Sequence, residues 1–132
     1  MAAGISTYLA DAWLNTLRGG AAGTSYTAPG AIYGQLHTAD PGAAGTTAVS
    51  LGSAARVAIT EGAASAGAIA LTNSPLWTNG GVSETLTYVT TWDASSLGNF
   101  LNAYLLTAAQ AWVSTNTFTL TSLGTSLTPI AS

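Results

Sequence analysis

The chain has no cysteine and no lysine, a single histidine, and charged side chains at only 5% of its 132 positions. Each shortage excludes something. Without cysteine no disulfide staples the fold, and His37 alone cannot complete a zinc site within one chain. Without lysine the Gly-x-x-x-x-Gly-Lys-Ser/Thr phosphate loop cannot be written. Two arginines, Arg18 and Arg56, are too few for the basic patch that displaces counterions, so nucleic acid is not an expected partner. Intrinsic disorder needs low hydrophobicity and high net charge, whereas 48% of these residues are hydrophobic and the net charge is −3. No uninterrupted apolar run reaches the roughly 18 residues of a membrane-spanning helix. The first residues also lack the positive charge and apolar block of a secretory signal.

What is present is apolar and uncharged-polar. Ordinary domains carry roughly a quarter charged residues, so the polar surface here has to come from Thr, Ser, Asn, Gln and Gly. Such a surface repels its neighbours weakly, and protein interface cores are depleted of charge in the same way. The composition therefore predicts a subunit of a larger assembly. At this length one domain is expected, comprising an N-terminal helix over residues 1–20 and a β-sandwich over 30–132.

Ile5, Leu9, Trp13 and Leu17 recur every four residues, which predicts an amphipathic helix. Ser6 or Thr7 can cap its start, and Gly19-Gly20 can stop it. Beyond Pro29 the period changes to two. Ala31–Thr38 reads as a strand with Ile32 and Leu36 on one face and Tyr33, Gln35 and His37 on the other. Ala55–Thr60 points Val57 and Ile59 inward, with Arg56 outward. Ala68–Thr72 and Leu76–Thr78 are shorter strands. Thr85–Asp93 is expected to place Leu86, Tyr88 and Trp92 on one face, with Thr85, Thr87, Val89 and Thr91 opposite. Phe100–Thr107 is apolar on both faces. Ala111–Val113 and Thr117–Leu120 flank Ser114-Thr115-Asn116 as a hairpin would. The apolar phase slips before Leu123, and Gly124 can supply the necessary bend. Seven or eight strands after one helix give a mainly β fold, a β-sandwich or jelly-roll with one N-terminal α-helix.

Candidate chemistry is sparse. His37 and Asp40 are close enough in sequence to orient a serine nucleophile, but Asp40 has a local task in the turn Asp40-Pro41-Gly42 and no Gly-x-Ser-x-Gly elbow occurs. His37 is expected to be a structural histidine at a strand end. Asp40, Glu61, Glu84 and Asp93 read as solvated loop acids, with Asp93 capping its own turn. No catalytic residue, cofactor or metal ligand is expected. Trp92 and Trp112 fall in phase with core neighbours. Trp13 can pack on the sheet end or into a neighbouring subunit, and Trp77 with nearby tyrosines can offer a sugar-stacking surface. The expected partner-binding residues are Ile5, Leu9, Trp13, Leu17 and Trp77.

Several segments resemble a family of small bacteriophage virion structural proteins. Tyr33-Gly34-Gln35-Leu36-His37-Thr38-Ala39-Asp40-Pro41-Gly42 matches its hydrophobic–Leu-His-Thr-x-Asp-Pro stretch. Ala55–Thr60, Trp77-Thr78-Asn79, Thr87–Ser95, Gly98–Leu101 and Phe118-Thr119-Leu120 follow in the same order. Thr115-Asn116 departs from the Gly-Asp that relatives often carry in that turn. Members occur in phages of actinobacteria and other bacteria and are labelled tail-fibre, minor tail or head-decoration proteins. The resemblance implies a virion component assembled in the host cytoplasm. The leading expectation is a capsid decoration protein, a homotrimer held to the major capsid protein or other virion subunits. The alternative is a tail-fibre or minor tail protein that touches the host surface.

Overall fold

The computed structural model describes residues 3–19 and 26–128. The chain is mainly β, with nine strands and one helix among those residues: β1 (Gly4–Ile5), α1 (Thr7–Leu17), β2 (Ile32–His37), β3 (Val57–Ile59), β4 (Ala68–Ala70), β5 (Leu76–Thr78), β6 (Glu84–Trp92), β7 (Phe100–Trp112), β8 (Thr117–Thr119) and β9 (Gly124–Ser126). A five-stranded antiparallel sheet runs β1-β7-β6-β2-β3, and β4–β9 and β5–β8 form two short ribbons. The ribbons cover one face of the large sheet. Between them lies a core of Leu36, Ile59, Leu86, Val89 and Trp112 packed with Trp77, Leu120 and Leu123. This arrangement is the expected sandwich.

The helix starts two residues later than its apolar stripe, at Thr7 rather than Ile5. Ser6 is the N-cap, and its hydroxyl accepts the Leu9 amide at 3.2 Å. A cap keeps an extended backbone, so Ile5 falls outside the helix. It sits in β1 opposite Asn102, and the Ser6 amide donates to the Leu101 carbonyl at 2.7 Å. Leu9 and Ala12 are buried and α1 packs against β7. Gly19, at φ +63°, follows Arg18 as the expected stop. Gly20 lies outside the described residues.

Three expectations change in the second half. Leu86 pairs with Gln110 while Tyr88 pairs with Leu105, so Thr87 alone stands against Leu106 to Ala109. This bulge reverses the parity of β6: Leu86 and Val89, expected on opposite faces, share one core. The two predicted strands at Phe100–Thr107 and Ala111–Val113 merge into β7. The predicted hairpin does not pair across its turn either; β8 leaves β7 and pairs with β5, Trp77 opposite Phe118. The phase slip near Gly124 is real. It marks the step from the β5–β8 ribbon to the β4–β9 ribbon, where the Leu71 amide donates to the Leu123 carbonyl at 2.8 Å.

Candidate functional site

The polar candidates are spent on structure. His37 is fully buried, and both ring nitrogens are engaged: Nδ1 lies 2.8 Å from the Thr47 carbonyl and Nε2 lies 2.8 Å from Thr90 Oγ1. A carbonyl can only accept, so Nδ1–H is the donor and Nε2 accepts the Thr90 hydroxyl proton. Trp92 Nε1–H donates to the same Thr90 oxygen at 2.9 Å, which completes a relay from indole to hydroxyl to imidazole to backbone. Burial, reinforced by the charge of Arg56, pulls the His37 pKa below its ordinary value, against the opposing pull of the Thr47 carbonyl. Asp40 accepts the Gly42 amide at 2.8 Å within its own turn. His37 is therefore a structural residue, as expected.

The acids do not form a pair. Asp93 accepts the Asn99 amide and side-chain amide at 2.6 and 2.7 Å, closing the loop before β7. Glu84 is not the solvated loop acid expected from its position. It accepts from the Ser50 hydroxyl and from the amides of Leu51 at 3.0 Å and Gly52 at 3.1 Å, fastening the loop that precedes β3. Glu61 is held above the usual carboxylate range by burial. Arg56, expected to face water, lies 3.6 Å over the Trp92 ring and donates to the carbonyls of Ala94, at 3.0 Å, and Leu97. Among the described residues no cluster of three or more potential metal ligands exists.

The five expected partner-binding residues separate into different environments. Trp77 is 1% exposed, with Nε1 donating to Ala55 at 3.1 Å and its ring 6.0 Å from that of Phe118. This corrects the sugar-stacking expectation. A strand only three residues long buries its central side chain when a second ribbon strand pairs beside it, and the sequence of β5 alone does not reveal β8. Leu9 is likewise consumed within the chain. Trp92 and Trp112 are buried as expected.

Ile5, Trp13 and Leu17 remain accessible to different degrees. Trp13 is half-buried, its ring edge-on to Tyr26 at 6.4 Å. It lines two adjoining depressions. One, of about 520 Å³, lies against Ile5, Asn102, Tyr104, Leu105, Thr125 and Leu127. The other, of about 200 Å³, lies against Ala64, Gly67, Ile69, Thr125 and Leu127. Together they form a groove between α1, the β1 edge and the β4–β9 ribbon. Its rim is apolar, with Ile5, Leu105 and Leu127 exposed. Its floor carries one polar pair, the hydroxyls of Tyr104 and Thr125 at 2.6 Å, and burial raises the Tyr104 pKa. Among the described residues no charged side chain lines either depression. Leu105 and Leu127 escape sequence reasoning because β7 looks two-faced and because nothing local shows that the end of β9 meets the helix.

Leu17 lies away from the groove lining, 82% exposed at the end of α1. The arrangement offers an uncharged, shape-forming contact surface, and no set of groups positioned for proton transfer. A family model described as Podophage GP4 fiber I protein gp80 matches residues 4–128. No curated protein matches the chain.

Proposed function

We propose that this chain, which belongs to the Podophage GP4 fiber I protein gp80 family, forms part of a virion fibre and meets neighbouring virion subunits through the Trp13 groove. The family is one of phage virion structural proteins. One observation carries the fibre reading: the match runs from residue 4 to residue 128 and so takes in the helix, the sheet and both ribbons. The groove supports the contact, since an apolar, charge-free depression rimmed by Ile5, Leu105 and Leu127 can be desolvated at little cost. The head-decoration reading has no counterpart in the family description, and the fibre reading takes its place. Trp77 is unavailable for a host-surface contact, so any glycan contact falls to other residues.

Localisation in the particle tests the reading. Immunogold labelling or cryo-EM should find the chain on fibres, and label confined to the head shell would overturn it. Leu127→Asp tests the groove, because Leu127 is 58% exposed and can accept a charge without unfolding the chain. Its incorporation into particles should fall at least about tenfold, with the melting temperature unchanged. Normal incorporation of that variant would remove the groove from the proposal.

A further inference from the structure

The outer face of α1 carries a pattern that the groove does not use. Leu9 and Ala12 face inward, which leaves Thr7, Asp11, Leu14 and Arg18 along the opposite side at spacings of four, three and four. Only Leu14 among them is apolar, and Arg18 is the C-cap that follows the helix, so this face is a leucine set between two charges. Leu14 is 62% exposed, and Leu17 beside it is 82% exposed. Asp11 and Arg18 are the only charged residues of this segment, and they bracket Leu14 with opposite signs about 10.5 Å apart along the axis. Among the described residues neither side chain has a hydrogen-bonding or ionic partner.

We propose that α1 pairs with α1 of a second copy of this chain, antiparallel across a twofold axis that passes between Leu14 and Asn15. This axis is equidistant from Asp11 and Arg18, so each Asp11 meets the Arg18 of the other copy and two ion pairs close around two leucines. A parallel pairing sets like charge against like. The surface is thus complementary to itself, the condition for an isologous contact, which is why the occupant is a second copy. The contact is twofold, in contrast to the homotrimer expected of a capsid decoration protein. It does not depend on the fibre reading and would survive that reading's failure. Two helices of three turns bury less than the roughly 1,200 Å² of a stable free complex, so the dimer is weak in dilution and gains strength when copies are held side by side.

Sedimentation equilibrium of the full chain up to about 1 mM, where contacts worth roughly 4 kcal/mol are half-formed, should show reversible dimers. Asp11→Arg and Arg18→Asp should each weaken dimerisation about tenfold, and the double swap should restore it. A merely structural effect of either change would not be rescued. Because the chain has no cysteine, Leu14→Cys gives a clean crosslinking probe. It should form disulfide-linked dimers on mild oxidation, while Leu97→Cys, more exposed still in the loop before β7, should not. Far-ultraviolet circular dichroism and thermal melts confirm that each variant folds. A monomer at every concentration, or a double swap no better than its singles, overturns the proposal.

Discussion

At the scale of single residues, the chain uses its few polar groups as fasteners. His37 is the clearest case. Its Nε2 already accepts from Thr90, whose oxygen also receives the Trp92 indole proton. A second ring proton would face a hydroxyl that has no other acceptor for its own hydrogen. Protonation is therefore disfavoured in the folded state, in line with a pKa below the ordinary 6.5. For a base whose folded pKa is lowered, the unfolded chain binds the proton first. The stabilisation is complete above pH 6.5 and is lost as the pH falls from there through the folded pKa, by up to about 1.4 kcal/mol per pH unit. Denaturation between pH 7.5 and 5 should show that slope in the natural chain and not in His37→Gln. Glu61, with its raised pKa, contributes the opposite slope at lower pH. It does so in both proteins, so the difference between them isolates His37.

At the scale of elements, the β6–β7 bulge decides more than any single strand. The extra residues of β7 let it run from Phe100 to Trp112 while Leu86 and Val89 both reach the core. The bulge has a local cost: the Thr87 hydroxyl is buried with no hydrogen-bond partner among the described residues. Thr87→Val removes that orphan and keeps the shape, so it should stabilise the chain by about 1 kcal/mol, measured by urea denaturation. An unchanged or lower stability would mean that the hydroxyl finds a partner in solution. The bulge was not legible in the sequence. Thr85, Thr87, Val89 and Thr91 alternate cleanly on their own, and the extra residues lie on the neighbouring strand. The helix was legible in type and in its cap, because Ser6 before an apolar stripe is a local signal. Ile5 misled because its spacing continues that stripe beyond the cap.

At the scale of the whole molecule, the layers meet at very close range. Gly34 on β2 passes under the ribbon so tightly that an added Cβ would lie 2.7 Å from Ile59 Cδ1 and 3.2 Å from the Trp77 ring. Gly34→Ala should therefore cost about 2 kcal/mol through overpacking. Ile59→Val removes the obstructing methyl, so the double variant should be more stable than the sum of the two single costs allows. Strict additivity in thermal denaturation would show that contact with Ile59 on the neighbouring strand β3 is not what holds the glycine there. Part of the exposed apolar surface lies around the Trp13 groove and along the outer side of α1, the two surfaces proposed above as contacts.

The sequence by itself determined the class of the fold, the helix with Ser6 or Thr7 as its cap, the turns at Asp40 and Asp93, the structural role of His37 and the resemblance to phage virion proteins. All of these rest on local periodicity, on side chains that bond their own backbone, or on short ordered motifs. Only the tertiary structure decided that Trp77 is core, that Glu84 fastens a distant loop, that β8 pairs with β5, and that Leu105 and Leu127 rim one groove with Ile5 and Trp13. Those outcomes depend on which strands lie side by side. Strand pairing across long stretches of chain follows from burial summed over the whole molecule, and no local pattern carries it.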